Sequence, residues 1–257
     1  MIDLRLDFER VAVLARDHRE VRWLAGHLLD RGQLAVLVLE QRRRSDTAAL
    51  WLRRAQRNGT WATASSGLAL LVDRFVTVRL ERGAGPLEDR NDVPAHRVNN
   101  INVPQVRRLV NEAQPTLGLI LGTRILNPEL IASFGDAPLL NLHSGLTPSY
   151  RGTHGGAWAI LDGHPDRVAS TWHIVDRGID TGRPVVHVPV SPRPTLALLA
   201  REHREAGVGY MNGLAQQRAV QVRLPPVPAR GGLLYPPGLR DWRRFRRLVS
   251  TTAPPKQ

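Results

Sequence analysis

Two periods of apolar spacing run along the first two hundred residues of this chain. Residues 10–15 read Arg-Val-Ala-Val-Leu-Ala, the unbroken apolar run of a strand covered on both faces. Val21, Leu24, Ala25, Leu28 and Leu29 then recur at helical spacing, and Gly32 supplies a stop. Residues 34–39 are a second apolar run. The pattern predicts a helix over 47–57 with an arginine-rich outer face and a third strand over 75–80. It predicts mostly loop over 83–104, where Gly, Pro, Asn and Asp accumulate. A helix over 106–112 and strands over 116–121 and 139–143 follow. After them come a helix over 157–161, strands over 169–175 and 183–190, and a long helix over 195–217. Strand and helix alternate, which predicts an α/β fold: a Rossmann-like, mostly parallel sheet with helices on both faces.

Beyond residue 218 the pattern changes. Pro, Gly and Arg dominate, and Leu239, Trp242, Phe245 and Leu248 recur every three residues, enough to share one helical face. The expectation is a catalytic domain over 1–190 and, over 191–257, a C-terminal helix and a basic segment packed on it. An RNA- or membrane-facing helix is the alternative.

Charge sharpens this picture. The net charge is +13, and Lys256 is the only lysine, so arginine carries it. From residue 219 onward there are eight basic residues against one acid, Asp241. An anionic partner such as a phosphate, a nucleotide or RNA suits that balance. The near-absence of lysine excludes a Walker-type phosphate loop and a Schiff-base lysine in the body. The absence of cysteine removes disulfides, thiolate metal sites and cysteine nucleophiles, and it fits a reducing, cytoplasmic setting. No apolar stretch is long enough to span a membrane, and no His/Asp/Glu cluster has metal-ligand spacing. Asn58-Gly59-Thr60 matches a glycosylation sequon but reads as a turn.

The chemistry concentrates between residues 139 and 182. An apolar run delivers Asn141 and His143 to a strand end, a Gly- and Pro-rich turn follows, and the next strand exits through a loop with Asp176 and Asp180. An amide, an imidazole and a carboxylate at neighbouring strand ends form a working set for acyl transfer: an oxyanion donor, an acid/base and a group that orients it. Asp176 reads equally as a loop brace, and Arg151 as a loop brace or an anion contact. His154 reads as pocket wall and His173 as structural.

Three pieces in order carry a family likeness: Asn141-Leu142-His143, then Leu146-Thr147-Pro148-Ser149-Tyr150-Arg151-Gly152, then Val175-Asp176-Arg177-Gly178-Ile179-Asp180-Thr181-Gly182. The region resembles the formyltransferases that use 10-formyltetrahydrofolate, closely over about 115–190 and in outline before that. The resemblance implies that Asn141 holds the developing oxyanion. It implies that His143 donates to the tetrahedral intermediate and takes part in proton transfer. Asp180 would tune His143 and help deprotonate the attacking amine. It places the folate cosubstrate between the loop 122–126 and the Asp180 loop, against Arg124, Ile125, Leu126, Val175, Asp176, Gly178 and Asp180. Ile125 and Leu126 read equally as core.

The loop after the first strand, residues 15–20, lacks the glycine-rich turn of the glycinamide ribonucleotide and tRNA branches. The expected activity is N-formylation of a small biosynthetic amine, with an amino sugar nucleotide first. A hydroxylated amino acid or other natural-product amine, a 10-formyltetrahydrofolate hydrolase, and an RNA-binding protein with an inactive body are the alternatives. A homodimer is left open.

Overall fold

A computed structural model describes residues 3–41, 44–80, 87–88 and 90–252. In chain order the elements are β1 (Asp3–Asp7), β2 (Val11–Arg16), α1 (Arg19–Asp30), β3 (Leu34–Glu40), α2 (Arg44–Asn58), α3 (Thr60–Leu80), β4 (His96–Val98) and α4 (Pro104–Ala113). Then come β5 (Leu117–Leu121), α5 (Pro128–Ala132), β6 (Leu139–His143), β7 (Arg151–Gly152), α6 (Gly155–Leu161), β8 (Ala169–Ile174), β9 (Pro184–Pro189), α7 (Leu196–Leu214), β10 (Ala219–Arg223), β11 (Leu233–Leu234) and α8 (Leu239–Thr252).

Seven strands form one sheet in the order β4-β3-β2-β5-β6-β8-β9. The first five are mutually parallel, and β8 and β9 run antiparallel to their neighbours. Alternate residues explain why the central strands are apolar throughout. Val11, Val13 and Ala15 of β2 join a core with α1 and α7 on one face, while Ala12 and Leu14 join a core with α4 and α5 on the other. Chain order reverses between β2 and β5, so the crevice outside their carboxyl ends is the expected ligand side.

One expectation fails, in the segment between β3 and β5. Residues 75–80 are the last turns of α3 and form no strand. The run Phe-Val-Thr-Val-Arg-Leu has strand-forming side chains, but it continues a 21-residue helix whose buried positions are Ser66, Ala69, Asp73 and Thr77. Within the expected loop, residues 96–98 pair in parallel with β3 as an edge strand; the part of that loop over 83–86 and at 89 lies outside the described residues. Gly59 breaks the chain between α2 and α3 at φ 86, which makes the sequon position a helix–helix turn.

The C-terminal part is tied in at three points. β10 pairs antiparallel with β1 over five positions. β11 lies alongside β7. Phe245 and Val249 of α8 are 0% and 4% exposed, in a core shared with α6 and α7. Asp73 of α3 is the polar counterpart: its carboxylate accepts from the Leu196 and Ala197 amides at the start of α7 and from Trp242 Nε1 of α8. A buried carboxylate here caps one helix and positions a second.

The packing of α8 gives a stability prediction. Phe245→Ala leaves a cavity in that core and should cost about 3–5 kcal/mol in urea unfolding. An unchanged midpoint would show that α8 does not pack on the body.

Candidate active site

Residues i and i+2 of a strand share a face, so β6 presents Asn141 and His143 together at its carboxyl end. Antiparallel pairing sets His173 of β8 opposite Asn141 and Thr171 opposite His143. The loop after β8 then brings Asp180 back over both histidines. His143 Nδ1 lies 3.4 Å from Asp180 Oδ2, and His173 Nε2 lies 3.6 Å from Oδ1. The Gly152 amide of β7 donates to Asp180 Oδ2 at 3.0 Å.

Five residues of the Asp180 loop, Asp176, Gly178, Asp180, Thr181 and Gly182, have a mechanical reason. Asp176 Oδ1 accepts from the Gly178 amide at 2.9 Å and from the Thr181 hydroxyl at 2.8 Å, so its carboxylate closes the turn. A Cβ at Gly178 would sit 1.9 Å from Thr181 Oγ1, and one at Gly182 1.7 Å from the Ile174 carbonyl oxygen. Asp180 adopts φ 49, a left-handed conformation that Asp tolerates better than most residues. Arg151 donates to the Ile179 and Gly231 carbonyls. It therefore braces the loop against the C-terminal segment.

Proton positions follow from the partners. His143 Nε2 lies 2.9 Å from the Tyr150 carbonyl, which only accepts, so Nε2 carries the proton. Nδ1 of the neutral ring then turns its lone pair toward Asp180. Burial pushes His143 below its ordinary value; Asp180 and the Tyr150 carbonyl oppose that, and His173 adds to it. Burial works to raise the Asp180 pKa, but His143, His173 and the Gly152 amide outweigh it and hold the group below the usual carboxylate range. The pair is thus a neutral imidazole beside a carboxylate, with a place for one proton between them.

His173 is the residue that sequence reasoning undervalued. Its Nδ1 donates to the Ile174 carbonyl at 2.9 Å, which turns Nε2 toward Asn141 and Asp180. Nε2 lies 3.0 Å from Asn141 Nδ2. This contact fixes the Asn141 amide with its NH2 toward His173, and leaves that group a second N–H. The available signal was the alternation of β8, which puts His173 in register with Asn141 once the pairing is antiparallel.

A cleft of about 120 Å³ opens at the carboxyl ends of β5, β6 and β8. Arg124, Ile125, Leu126, Asn141, His173, Val175, Asp176, Gly178 and Asp180 are among its walls. His143 is not: it is 6% exposed and lies behind Asp180. Ile125 is 70% exposed at the cleft, whereas Leu126 is 8% exposed and belongs to the core. Arg124 turns its side chain away to ion-pair with Glu40, which is 0% exposed at the end of β3. Glu40 also accepts from the Arg124 and Ile101 amides at 3.0 Å, and Asn102 holds Ile125 O and Asn127 N at 2.9 Å. These anchors, unforeseen from sequence, set the shape of the loop 122–127. An apolar wall with loop backbone at its edges fits a flat heterocycle with polar rims, such as a pterin. His154, the expected pocket wall, lines a separate small cavity with Ser144 and His203.

Residues 90–212, which hold all three motif pieces, match the profile of the formyl transferase family. The chain is similar to a methionyl-tRNA formyltransferase of Chlorobium chlorochromatii, 33% identical over 93 residues, 35% of this chain and 28% of that protein. A methionyl-tRNA formyltransferase of Trichlorobacter lovleyi is 24% identical over 167 residues, covering 60% and 51%. A GDP-perosamine N-formyltransferase of Brucella melitensis is 29% identical over 91 residues, 35% of each chain. The chain spans about half the length of these curated relatives or less. A solved 4-N formyltransferase from Francisella tularensis shares the fold with a TM-score of 0.52 at 12% identity, over 97% of this chain and 90% of that one. Among the described residues no His/Cys/Asp/Glu group is placed to hold a metal, and no helix is long and apolar enough to cross a membrane.

Three histidines of this chain, His203 buried and His18 and His154 partly buried, predict a pH dependence. Burial pushes His18, His154 and His203 down to about 4, about 4 and about 3. Their folded values lie below the unfolded value of about 6.5, so the unfolded chain binds protons first as pH falls. Their contribution is whole above about pH 6.5 and declines toward pH 4, by up to about 1.4 kcal/mol per pH unit for each. Urea unfolding at about pH 7.5 and about pH 5 measures the difference, and equal stabilities would contradict the burial of these rings.

Proposed function

We propose that the chain is an N-formyltransferase that moves a formyl group from 10-formyltetrahydrofolate to a primary amine. The observation that carries the reading is the Asp180 carboxylate, set in the cleft wall beside Asn141 and backed by neutral His143. The folate occupies the cleft between the loop 122–126 and the Asp180 loop, its ring against Ile125 and Val175. The amine nitrogen attacks the formyl carbon, and the carbonyl oxygen becomes an oxyanion that the second N–H of Asn141 stabilises. The amine's proton passes to Asp180 and is shared with His143 Nδ1. Collapse breaks the bond from the formyl carbon to the folate nitrogen, which receives the proton back.

In this geometry Asp180 faces the reactants and His143 works through it. The family resemblance implies instead that the imidazole donates to the intermediate. His173 is a positioning residue, since it fixes the Asn141 amide.

For the acceptor we favour an amino sugar linked to a nucleotide. Support comes from the Brucella relative named for GDP-perosamine and from the arginine-rich charge, which suits a diphosphate. Methionyl-tRNA is the second reading, because the Chlorobium and Trichlorobacter relatives carry that name. Assays with nucleotide amino sugars, charged initiator tRNA and water as acceptors separate these from each other and from a hydrolase.

Two measurements test the mechanism. Calorimetry with 5-formyltetrahydrofolate should detect binding to the intact protein and to Asp180→Asn alike; a folded protein that binds no folate would sink the assignment. Asp180→Asn and His143→Ala should each slow formyl transfer by roughly a hundredfold or more, the scale for losing an acid/base group. Wild-type kcat in either variant would remove that residue from the proton path.

A further inference from the structure

Helix α3 is built inside out. Its small and polar residues Ser66, Ala69, Asp73 and Thr77 face the body and are at most 9% exposed. They have partners there: Ser66 donates to the Pro236 carbonyl, Thr77 meets Thr195 Oγ1 at 2.7 Å, and Asp73 holds α7 and α8. The large apolar side chains point outward. Trp61 is 87% exposed, Leu68 49%, Leu71 69%, Phe75 59% and Val78 62%. With exposed Ala64 they fall at 61, 64, 68, 71, 75 and 78, alternating steps of three and four residues over three heptads. That is the seam of a coiled coil. At ~150–250 Å² per large side chain, these exposures leave roughly 600 Å² of apolar surface on one helix face. The largest patch on a typical monomer is about 300–600 Å², and each partner in a standard interface contributes about 800 Å².

We propose that this face is a homodimer interface in which α3 packs antiparallel on α3 of a second copy about a two-fold axis. Volume and charge select both the partner and the direction. With Leu68 of one helix beside Leu71 of the other, Trp61 falls beside Val78, and Phe75 falls beside Ala64, so large residues meet small ones in each outer layer. Along α3 itself the exposed charged residues are Arg74 and Arg79, the latter stacked on its own Phe75 ring at 4.3 Å. A parallel pair would set Arg74 of each copy against Arg79 of the other, in the positions where coiled coils place attracting charges. The antiparallel pair sets Arg74 beside Gly67 and keeps the arginines of the two copies at opposite ends. The arrangement is isologous and closes on itself. It leaves the cleft outside the carboxyl ends of β5, β6 and β8 untouched, so it stands or falls apart from the proposed activity.

Sedimentation velocity of the full chain, over about a hundredfold range of concentration, tests this by mass action. The expected result is a monomer–dimer equilibrium. Leu71→Arg should weaken it by roughly a hundredfold or more, since it removes a central layer twice over. Its circular dichroism melt and its folate-analogue affinity should stay unchanged. Gly67→Glu should tighten the dimer through Arg74 of the second copy; a Cβ at Gly67 meets only the Trp51 ring, at 3.9 Å. A wild-type chain that stays monomeric throughout overturns the proposal. So does a Leu71→Arg variant that still dimerises, or a monomer that co-sediments with anionic phosphatidylserine vesicles through the same face.

Discussion

The candidate site depends on one partly buried carboxylate. Asp180 sits where a loop in a left-handed turn meets two antiparallel strands and a third segment, and it is held by the Gly152 amide and flanked by His143 and His173. A carboxylate in such a place is tolerated only because its surroundings favour the anion over the acid. Much of the local sequence serves that condition. Gly178 and Gly182 give the loop room to close, Asp176 ties its first turn, and Arg151 fastens its tip to the C-terminal segment. The motif is therefore as much a folding instruction for the loop as a set of reactive groups.

The remainder of the fold supplies rigidity around that point. Parallel strands covered on both faces bring the ends of β5 and β6 together, and Glu40 holds the opposite wall of the cleft from a neighbouring strand. Asp73 does for α3, α7 and α8 what Asp180 does for the site: one carboxylate satisfies donors from separate elements and thereby sets their relation. Its position on the inward face of α3 is linked to the inversion of that helix, whose apolar side chains are left for another surface.

Charge divides in the same way. The arginines of α8 surround an apolar stripe that packs into the core through Phe245 and Val249, so a basic tail in the sequence is also a structural helix. Arg124 and Arg151 are engaged by protein groups beside the cleft. Net charge alone is a poor guide to which arginines meet a ligand.

The sequence by itself determined the strands and helices whose periodicity reports burial directly: β2, β3, β5, β6 and β8, the helices α1, α2, α4, α6 and α7, and the order in which Asn141, His143 and Asp180 arrive at strand ends. It could not determine α3, because residues 75–80 carry strand-like side chains, and their helical state comes from contacts that Ser66, Asp73 and Thr77 make far along the chain. It could not rank His173, since a histidine on a strand becomes part of a site only when antiparallel pairing sets it against Asn141. The order of Asp180 and His143 with respect to the cleft was likewise a tertiary decision. Residue types and spacing specify which groups are near one another, but which of them faces the open side depends on where the 176–182 loop folds back, and that is set by backbone contacts to β7 and β8.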